Sequence, residues 1–164
     1  MSFDGILQWL ESTPIAVAIS EGDTLFPLLE AIHVLAITMV VGSILFVDLR
    51  LVGLASNGRK VERVLGEVLP LTWSAFAVAA CSGLLLFASK AVTYGHNAFF
   101  LRKMVLLALA GINMLVFHLV TGRDIAVSSA GTAPPPAAKV AGVTSMVLWF
   151  GIVACGRWVG FTLH

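Results

Sequence analysis

Two histidines lie inside long apolar stretches of the sequence and are the first candidates for chemistry. His33 lies in the run Leu25–Arg50, and His118 lies near the end of Phe99–Val120. An ionisable side chain inside a membrane-spanning segment is costly and usually marks a functional site. Because imidazole is an axial ligand of haem iron and a ligand of copper, we take His33 and His118 as candidate cofactor and metal ligands.

The neighbours of both histidines favour a flat cofactor. Glu30 precedes His33 by three residues and Gly111 precedes His118 by seven, so each pair shares a helix face. A glycine on the face of a histidine leaves room for a macrocycle, while the imidazole supplies the axial nitrogen. This pattern predicts haem b as the cofactor.

The depth of the two histidines argues against one shared iron. His33 is about eight residues from the outer end of its helix, and His118 is about twenty from the outer end of its own. At 1.5 Å per residue the offset is on the order of 15 Å. Either there are two sites, or one histidine is not a ligand.

An outer site centred on His33 has His96 or Met104 as candidate second ligands. Basic residues that could pair with haem propionates lie near the same end of the bundle: Arg102, Lys103 and Arg157. An inner site centred on His118 has Met146, which we expect at nearly the same depth on the fourth helix. Histidine–methionine axial pairs are known in cytochromes.

Two other interpretations stay open at this point. Both histidines could be structural and hydrogen-bond to Glu30, Asn113, Thr38 or backbone carbonyls, because unsatisfied polar groups in lipid are costly. Copper is the second alternative, with soft ligands from scattered methionines: Met39, Met104, Met114 and Met146.

The composition indicates an integral membrane protein. Of the 164 residues, 59% are hydrophobic and 12% are charged, whereas soluble domains are about 25% charged. The net charge of +1 implies no nucleic-acid partner. Cys81 and Cys155 both lie in apolar runs and are expected to be free thiols.

Hydropathy predicts an all-α fold, a bundle of four transmembrane helices in the lipid bilayer. The predicted spans are Leu25–Val47, Val68–Ser89, Phe99–Val120 and Val140–Val159. We expect Asp48 to close the first span and Pro70 to lie in the first turn of the second. The proline-containing stretch 128–138 is predicted to be an exposed loop.

Residues 1–22 are predicted to form a separate N-terminal interfacial segment, and residues 23–164 the transmembrane domain. Phe3, Ile6, Leu7 and Leu10 follow helical spacing, which suits a short helix lying in the membrane interface. The piece from Ile15 to Ile19 is too short to span and is expected to be interfacial or re-entrant.

The distribution of Lys and Arg predicts the orientation. The first and third loops, with the span ends beside them, carry six, namely Arg50, Arg59, Lys60, Arg63, Arg123 and Lys139, against four on the other side, Lys90, Arg102, Lys103 and Arg157. Positive residues favour the cytoplasm. We therefore expect a multi-pass protein of the bacterial inner membrane with both termini in the periplasm.

Several short motifs resemble a family of small bacterial four-helix membrane proteins of uncharacterised function. They are the early histidine His33, the Asp-Leu-Arg-Leu sequence of residues 48–51, Phe100–Lys103, and Asn113–His118. The resemblance implies the four-helix fold and no activity. A looser likeness to four-helix b-type cytochromes and to the bacterial copper-resistance membrane domain implies haem or copper bound through helical histidines, here His33 and His118.

These observations lead to a working hypothesis of a b-type haem protein that passes electrons between quinol and a periplasmic partner. We expect it to act in electron transfer rather than as a stand-alone enzyme, and as a homo-oligomer or a subunit of a complex. The alternatives are a non-redox membrane anchor or scaffold subunit, and a copper-handling membrane protein.

Overall fold

The computed structural model describes residues 2–54, 61–121 and 135–162, and this part of the chain is helical with no strand. In chain order the helices are α1 (Phe3–Glu11), α2 (Pro14–Glu21), α3 (Leu25–Val52), α4 (Val61–Ser89), α5 (Ala91–Gly95), α6 (Ala98–Val116), the π-helical turn Phe117–Thr121, and α7 (Pro136–Phe161). Four of them, α3, α4, α6 and α7, are long and apolar enough to cross a membrane. The predicted number of spans is confirmed.

The N-terminal segment forms two short helices. The Ser2 hydroxyl accepts a hydrogen bond from the Gly5 N–H and caps α1, and Pro14 opens α2 at a position where its missing N–H is not needed. The Glu11 carboxylate accepts a hydrogen bond of 2.9 Å from the Val92 N–H, which ties α1 to α5. That these helices lie in the membrane interface, and form a segment of their own, stays a prediction.

The prediction that Asp48 closes the first span is wrong, because α3 continues to Val52. Asp48 and Arg50 are both buried within the helix, with exposed fractions of 5% and 7%. The helix ends at Gly53, whose φ of +91° is a left-handed conformation that glycine adopts without a steric penalty. The N–H of Leu54 then donates to the Leu49 carbonyl at 2.9 Å, which satisfies the helix end.

Two other predicted boundaries also need correction. Helix α4 begins at Val61, so Pro70 lies in the helix interior, whereas the part of α4 able to cross a membrane, Val68–Ser89, is as predicted. Helix α7 begins at Pro136, so the end of the predicted 128–138 loop is helical, with proline at the first helical position where it is well tolerated. The stretch 122–134, which holds most of that predicted loop, lies outside the described residues.

The four long helices pack in the order α4, α3, α7 and α6. Helix α3 packs against both α4 and α7, and α7 packs against α6. Among the described residues, no Cα atom of α4 lies within 8 Å of a Cα atom of α6. The backbones of α4 and α6 are therefore connected through α3 and α7 and do not pack closely against each other.

Candidate functional site

The His33 side chain on α3 is hydrogen-bonded to α4. Its Nδ1 lies 3.0 Å from the Ser82 Oγ, which places the imidazole of α3 against α4. Ser82 is 3% exposed, and the imidazole is half-buried. The Ala79 carbonyl, which also lies 3.3 Å from the Ser82 Oγ, is beside the same ring. The imidazole therefore contacts both the Ser82 hydroxyl and the Ala79 carbonyl of α4.

The contacts of Ser82 favour one tautomer of His33. The Ser82 hydroxyl lies 2.6 Å from the Val78 carbonyl oxygen of its own helix, to which it donates. We infer that the Ser82 oxygen, 3.0 Å from the His33 Nδ1, accepts the Nδ1–H. In the neutral ring this leaves Nε2 with a lone pair, which is the form of histidine that binds a metal.

Gly83 sets how closely the imidazole approaches α4. A Cβ atom at this position would lie 2.7 Å from the His33 Cε1 and 3.4 Å from its Nδ1. Real Cβ atoms do not make contacts that short, so any larger residue would displace the ring. The Ser82-Gly83 pair therefore supplies both the hydrogen bond and the space for His33.

Lys103 is the second charged group on this side of the bundle. Its ammonium and its Cδ both lie 3.8 Å from the position that a Cβ of Gly156 would occupy on α7. It also lies near enough to His33 for the two side chains to interact electrostatically. We use the name α4–α6 cleft for the region between α4, which carries Ser82, and α6, which carries Lys103, on the side of His33.

A cluster of aromatic rings bridges α4 and α6 at the end of the bundle that holds α5. The rings of Phe87 and Phe100 stack with centroids 5.2 Å apart and planes at 9°, and the Tyr94 ring lies 5.5 Å from Phe100. Phe100 is one turn before Lys103 on α6. Side chains therefore connect α4 and α6 here, although the two backbones do not come within 8 Å of each other in the described residues.

His118 lies in a different environment. It belongs to the π-helical turn, is exposed, and its Nδ1 donates to the Met114 carbonyl of the same helix at 2.9 Å. It follows Lys103 by fifteen residues, so it lies about 22 Å further along the helix axis than the cleft. His33 and His118 are therefore too far apart to ligate the same iron.

The expectation that His118 and Met146 lie at one depth is wrong. The Asn113 amide donates to the Ala141 carbonyl at 3.1 Å, and Leu106 packs on Gly151, which fixes the antiparallel register of α6 and α7. Met146 falls between these two contacts, and His118 lies beyond Asn113 at the other end. The two are separated by roughly 12 Å along the axis.

The remaining candidate residues lie at the outer surface of the bundle. The Nε2 of His96 is 2.9 Å from an Asp4 carboxylate oxygen, and both side chains are exposed. The Arg157 guanidinium stacks over the Phe161 ring, with 4.8 Å to its centroid, and is also exposed. Their roles as cofactor ligands, and that of Met146, stay predictions.

The sequence interpretation missed two polar partners. It did not name Ser82 as the partner of His33, although the Ala79-x-x-x-Gly83 spacing marks that face of α4 as a place of close helix approach. It placed Asp48 at the edge of its span. Asp48 is instead buried and hydrogen-bonded to Ser145 on α7, and its Oδ2 has no hydrogen-bond partner in the described part of the chain.

Glu30 does not bond to His33 in the described structure. It is exposed, and its charge acts on Tyr94 of α5. Burial raises the pKa of the Tyr94 hydroxyl, and the negative charge of Glu30 raises it further, because both disfavour the phenolate. The outer end of the bundle thus holds a tyrosine that stays neutral above its ordinary range.

The fold and this site indicate a multi-pass helical membrane protein with a histidine bonded between two of its spans. Residues 8–162 match the family of unknown function DUF6644, and because this match extends over most of the chain, the protein belongs to that family. No curated protein and no solved structure matches the sequence. The comparisons therefore show the family and no similarity to cytochromes or to the copper-resistance domain.

Proposed function

We propose that this protein binds haem b in the α4–α6 cleft, with the Nε2 of His33 as an axial ligand of the iron. The observation that carries the proposal is the 3.0 Å contact between the His33 Nδ1 and the Ser82 Oγ, whose hydroxyl also lies 2.6 Å from the Val78 carbonyl oxygen. From these contacts we infer that the Nδ1–H of His33 donates to Ser82. A histidine that ligates a metal typically donates its other ring N–H to an oxygen of the protein in this way. Ser82 would then fix the tautomer and the orientation of the ligand.

The residues of the cleft fit haem in two further respects. In the described residues the α4 and α6 backbones do not come within 8 Å of each other, and the charge of Lys103 acts on His33. His118 and Met146 are not part of this site, because the helix registers separate them from it. When bound, the haem would supply one-electron redox chemistry.

We also propose an electron-transfer role and a membrane orientation for the protein. The protein would exchange electrons between quinol and a periplasmic redox partner in the bacterial inner membrane, with both termini in the periplasm. The excess of Lys and Arg in the first and third loops supports that orientation.

The experiment is an optical spectrum of the full chain purified from bacterial membranes in mild detergent. We expect a Soret band that shifts and sharpens on reduction, with no more than one haem per chain. Replacing His33 with alanine should remove the band. A colourless wild-type chain that also fails to bind added haem would overturn the proposal in favour of a membrane anchor.

A further inference from the structure

Asp48 differs from the other acidic residues that the structure describes. Those others are exposed or partly exposed: Asp4, Glu11, Glu21, Asp23 and Glu30. Asp48 is 5% exposed, and its Oδ2 is a buried atom with no hydrogen-bond partner in the described part of the chain. Among the described acids it is therefore the one whose carboxyl group is enclosed by protein.

Helix α7 packs closely on α3 at Asp48. A Cβ atom on Gly142 would lie 3.2 Å from the Asp48 carbonyl oxygen and 3.2 Å from the Leu51 Cβ, so the two helices are in contact here. Ser145 follows Gly142 by three residues and therefore lies on the same face of α7. It is hydrogen-bonded to the Asp48 carboxyl group, and because Oδ2 has no partner, this bond uses Oδ1.

None of the described basic side chains forms an ion pair with Asp48. On α3, Arg50 follows by two residues and so lies on a different face of the helix. On α7, Lys139 is exposed. The described side chains of α4, at residue 66 and residues 68–89, carry no charge, and α2 contacts α3 at its first turn, at the other end of the helix.

An ionised carboxylate in these surroundings is costly. Both of its oxygens accept hydrogen bonds, and here one of them has no donor. A buried charge that is neither paired nor fully hydrogen-bonded is typically neutralised by a proton. The neutral acid suits the site better, because it carries no charge and because the Ser145 hydroxyl can accept its O–H.

We propose that Asp48 is a proton-binding site between α3 and α7, and that the folded protein holds its carboxyl group as the neutral acid. The proton comes from water and forms an O–H bond with a carboxyl oxygen, and no electron is exchanged. This site is separate from the proposed haem site, because Asp48 follows His33 by fifteen residues, about 22 Å along α3. Its test needs no haem, so the failure of either proposal leaves the other standing.

Infrared spectroscopy of the purified full chain tests this inference, because a carboxylic acid and a carboxylate have separate stretching bands. Spectra are recorded in an ester-free maltoside detergent at about pH 6, where an exposed aspartate, with an ordinary pKa of about 3.9, is ionised. The wild type is compared with Asp48→Asn, with Ser145→Ala, and with the control Asp4→Asn, which removes an exposed carboxylate that pairs with His96.

The wild type is expected to show a carboxylic-acid band that is lost in Asp48→Asn and retained in Asp4→Asn. Ser145→Ala should keep the band and shift it, because the acid loses its hydrogen-bond partner. That shift identifies the band even if Asp48→Asn does not fold. A wild type without an acid band at this pH, or a band that remains unchanged in Asp48→Asn, would overturn the proposal.

The melting temperature between about pH 4 and pH 8 gives a second readout. If Asp48 holds a proton in the folded protein and loses it on unfolding, the folded chain binds more protons, so the wild type loses stability as the pH rises. Asp48→Asn replaces the neutral acid with a neutral amide and lacks this loss. Its melting temperature should therefore rise relative to that of the wild type with increasing pH, and a difference that does not change with pH would contradict the proposal.

Discussion

His33 and His118 are chemically identical residues in two spans, and the structure gives them opposite surroundings. His33 is half-buried, bonded to Ser82 of another helix and accompanied by Lys103. His118 is exposed and bonded to the carbonyl of Met114 in its own helix. A partner on a neighbouring helix, rather than depth in the span, therefore distinguishes the candidate ligand His33 from His118.

The two histidine variants should differ most in how much haem they bind. Replacing His33 with alanine should abolish haem binding by the purified chain, because it removes the proposed axial nitrogen. Replacing His118 with alanine should leave the haem content near that of the wild type. Absorbance titration with haem measures both, and equal losses in the two variants would contradict the distinction between them.

The next effect concerns the space that Gly83 leaves for His33. Gly83→Ala should displace the imidazole and destabilise the fold by about 1–3 kcal/mol, the usual result of overpacking, and weaken haem binding. Gly42→Ala on α3 is the matched control, since a Cβ there meets nothing within 4 Å. That variant should change stability by less than about 1 kcal/mol.

Thermal unfolding in detergent and haem titration check both glycine variants. A Gly83→Ala chain with the stability and haem affinity of the wild type would show that the His33 ring is not held against α4.

A smaller effect is expected from the hydrogen bond itself. Ser82→Ala should weaken haem binding by roughly tenfold to a hundredfold, as losses of partners behind metal-bound histidines do. Ser74→Ala on the same helix removes a hydroxyl that bonds only to the Leu71 carbonyl, and it should have no effect. Unchanged affinity in Ser82→Ala, measured by the same titration, would argue against the proposed role of the hydroxyl.

The smallest effect lies outside the cleft and concerns Tyr94, which is the only tyrosine of the chain. Its phenolate should form above the ordinary pKa of about 10, because burial and Glu30 disfavour the charged form. The unfolded chain loses this proton first, so the tyrosine lowers stability as the pH rises above about 10. Below that pH it has no such effect.

Phenolate absorbance in the near ultraviolet measures the Tyr94 titration without interference from other tyrosines. Glu30→Gln should move the transition part of the way back, since burial is the larger cause. A transition that is unchanged in Glu30→Gln would remove the electrostatic link between α3 and α5.

The sequence was sufficient to predict the four spans and the separation of His33 from His118, because apolar length and helical rise determine both. It did not predict that α3 continues to Val52, because a charged Asp48 indicates a span boundary unless its partner Ser145 on α7 is known. The bond from His33 to Ser82 and the misplacement of Met146 depend on the register between helices. That register is set by packing contacts that no single segment contains.

The haem proposal depends on the tautomer of His33. Nitrogen-15 NMR of the histidine-labelled full chain shows which ring nitrogen carries the proton. The His33 signals are identified by their loss in the His33→Ala variant. We predict a protonated Nδ1 and an unprotonated Nε2 before haem is added, with the Nε2 signal perturbed or broadened afterwards. A His33 whose Nε2 carries the proton, or whose Nε2 signal does not respond to bound haem, would contradict the account.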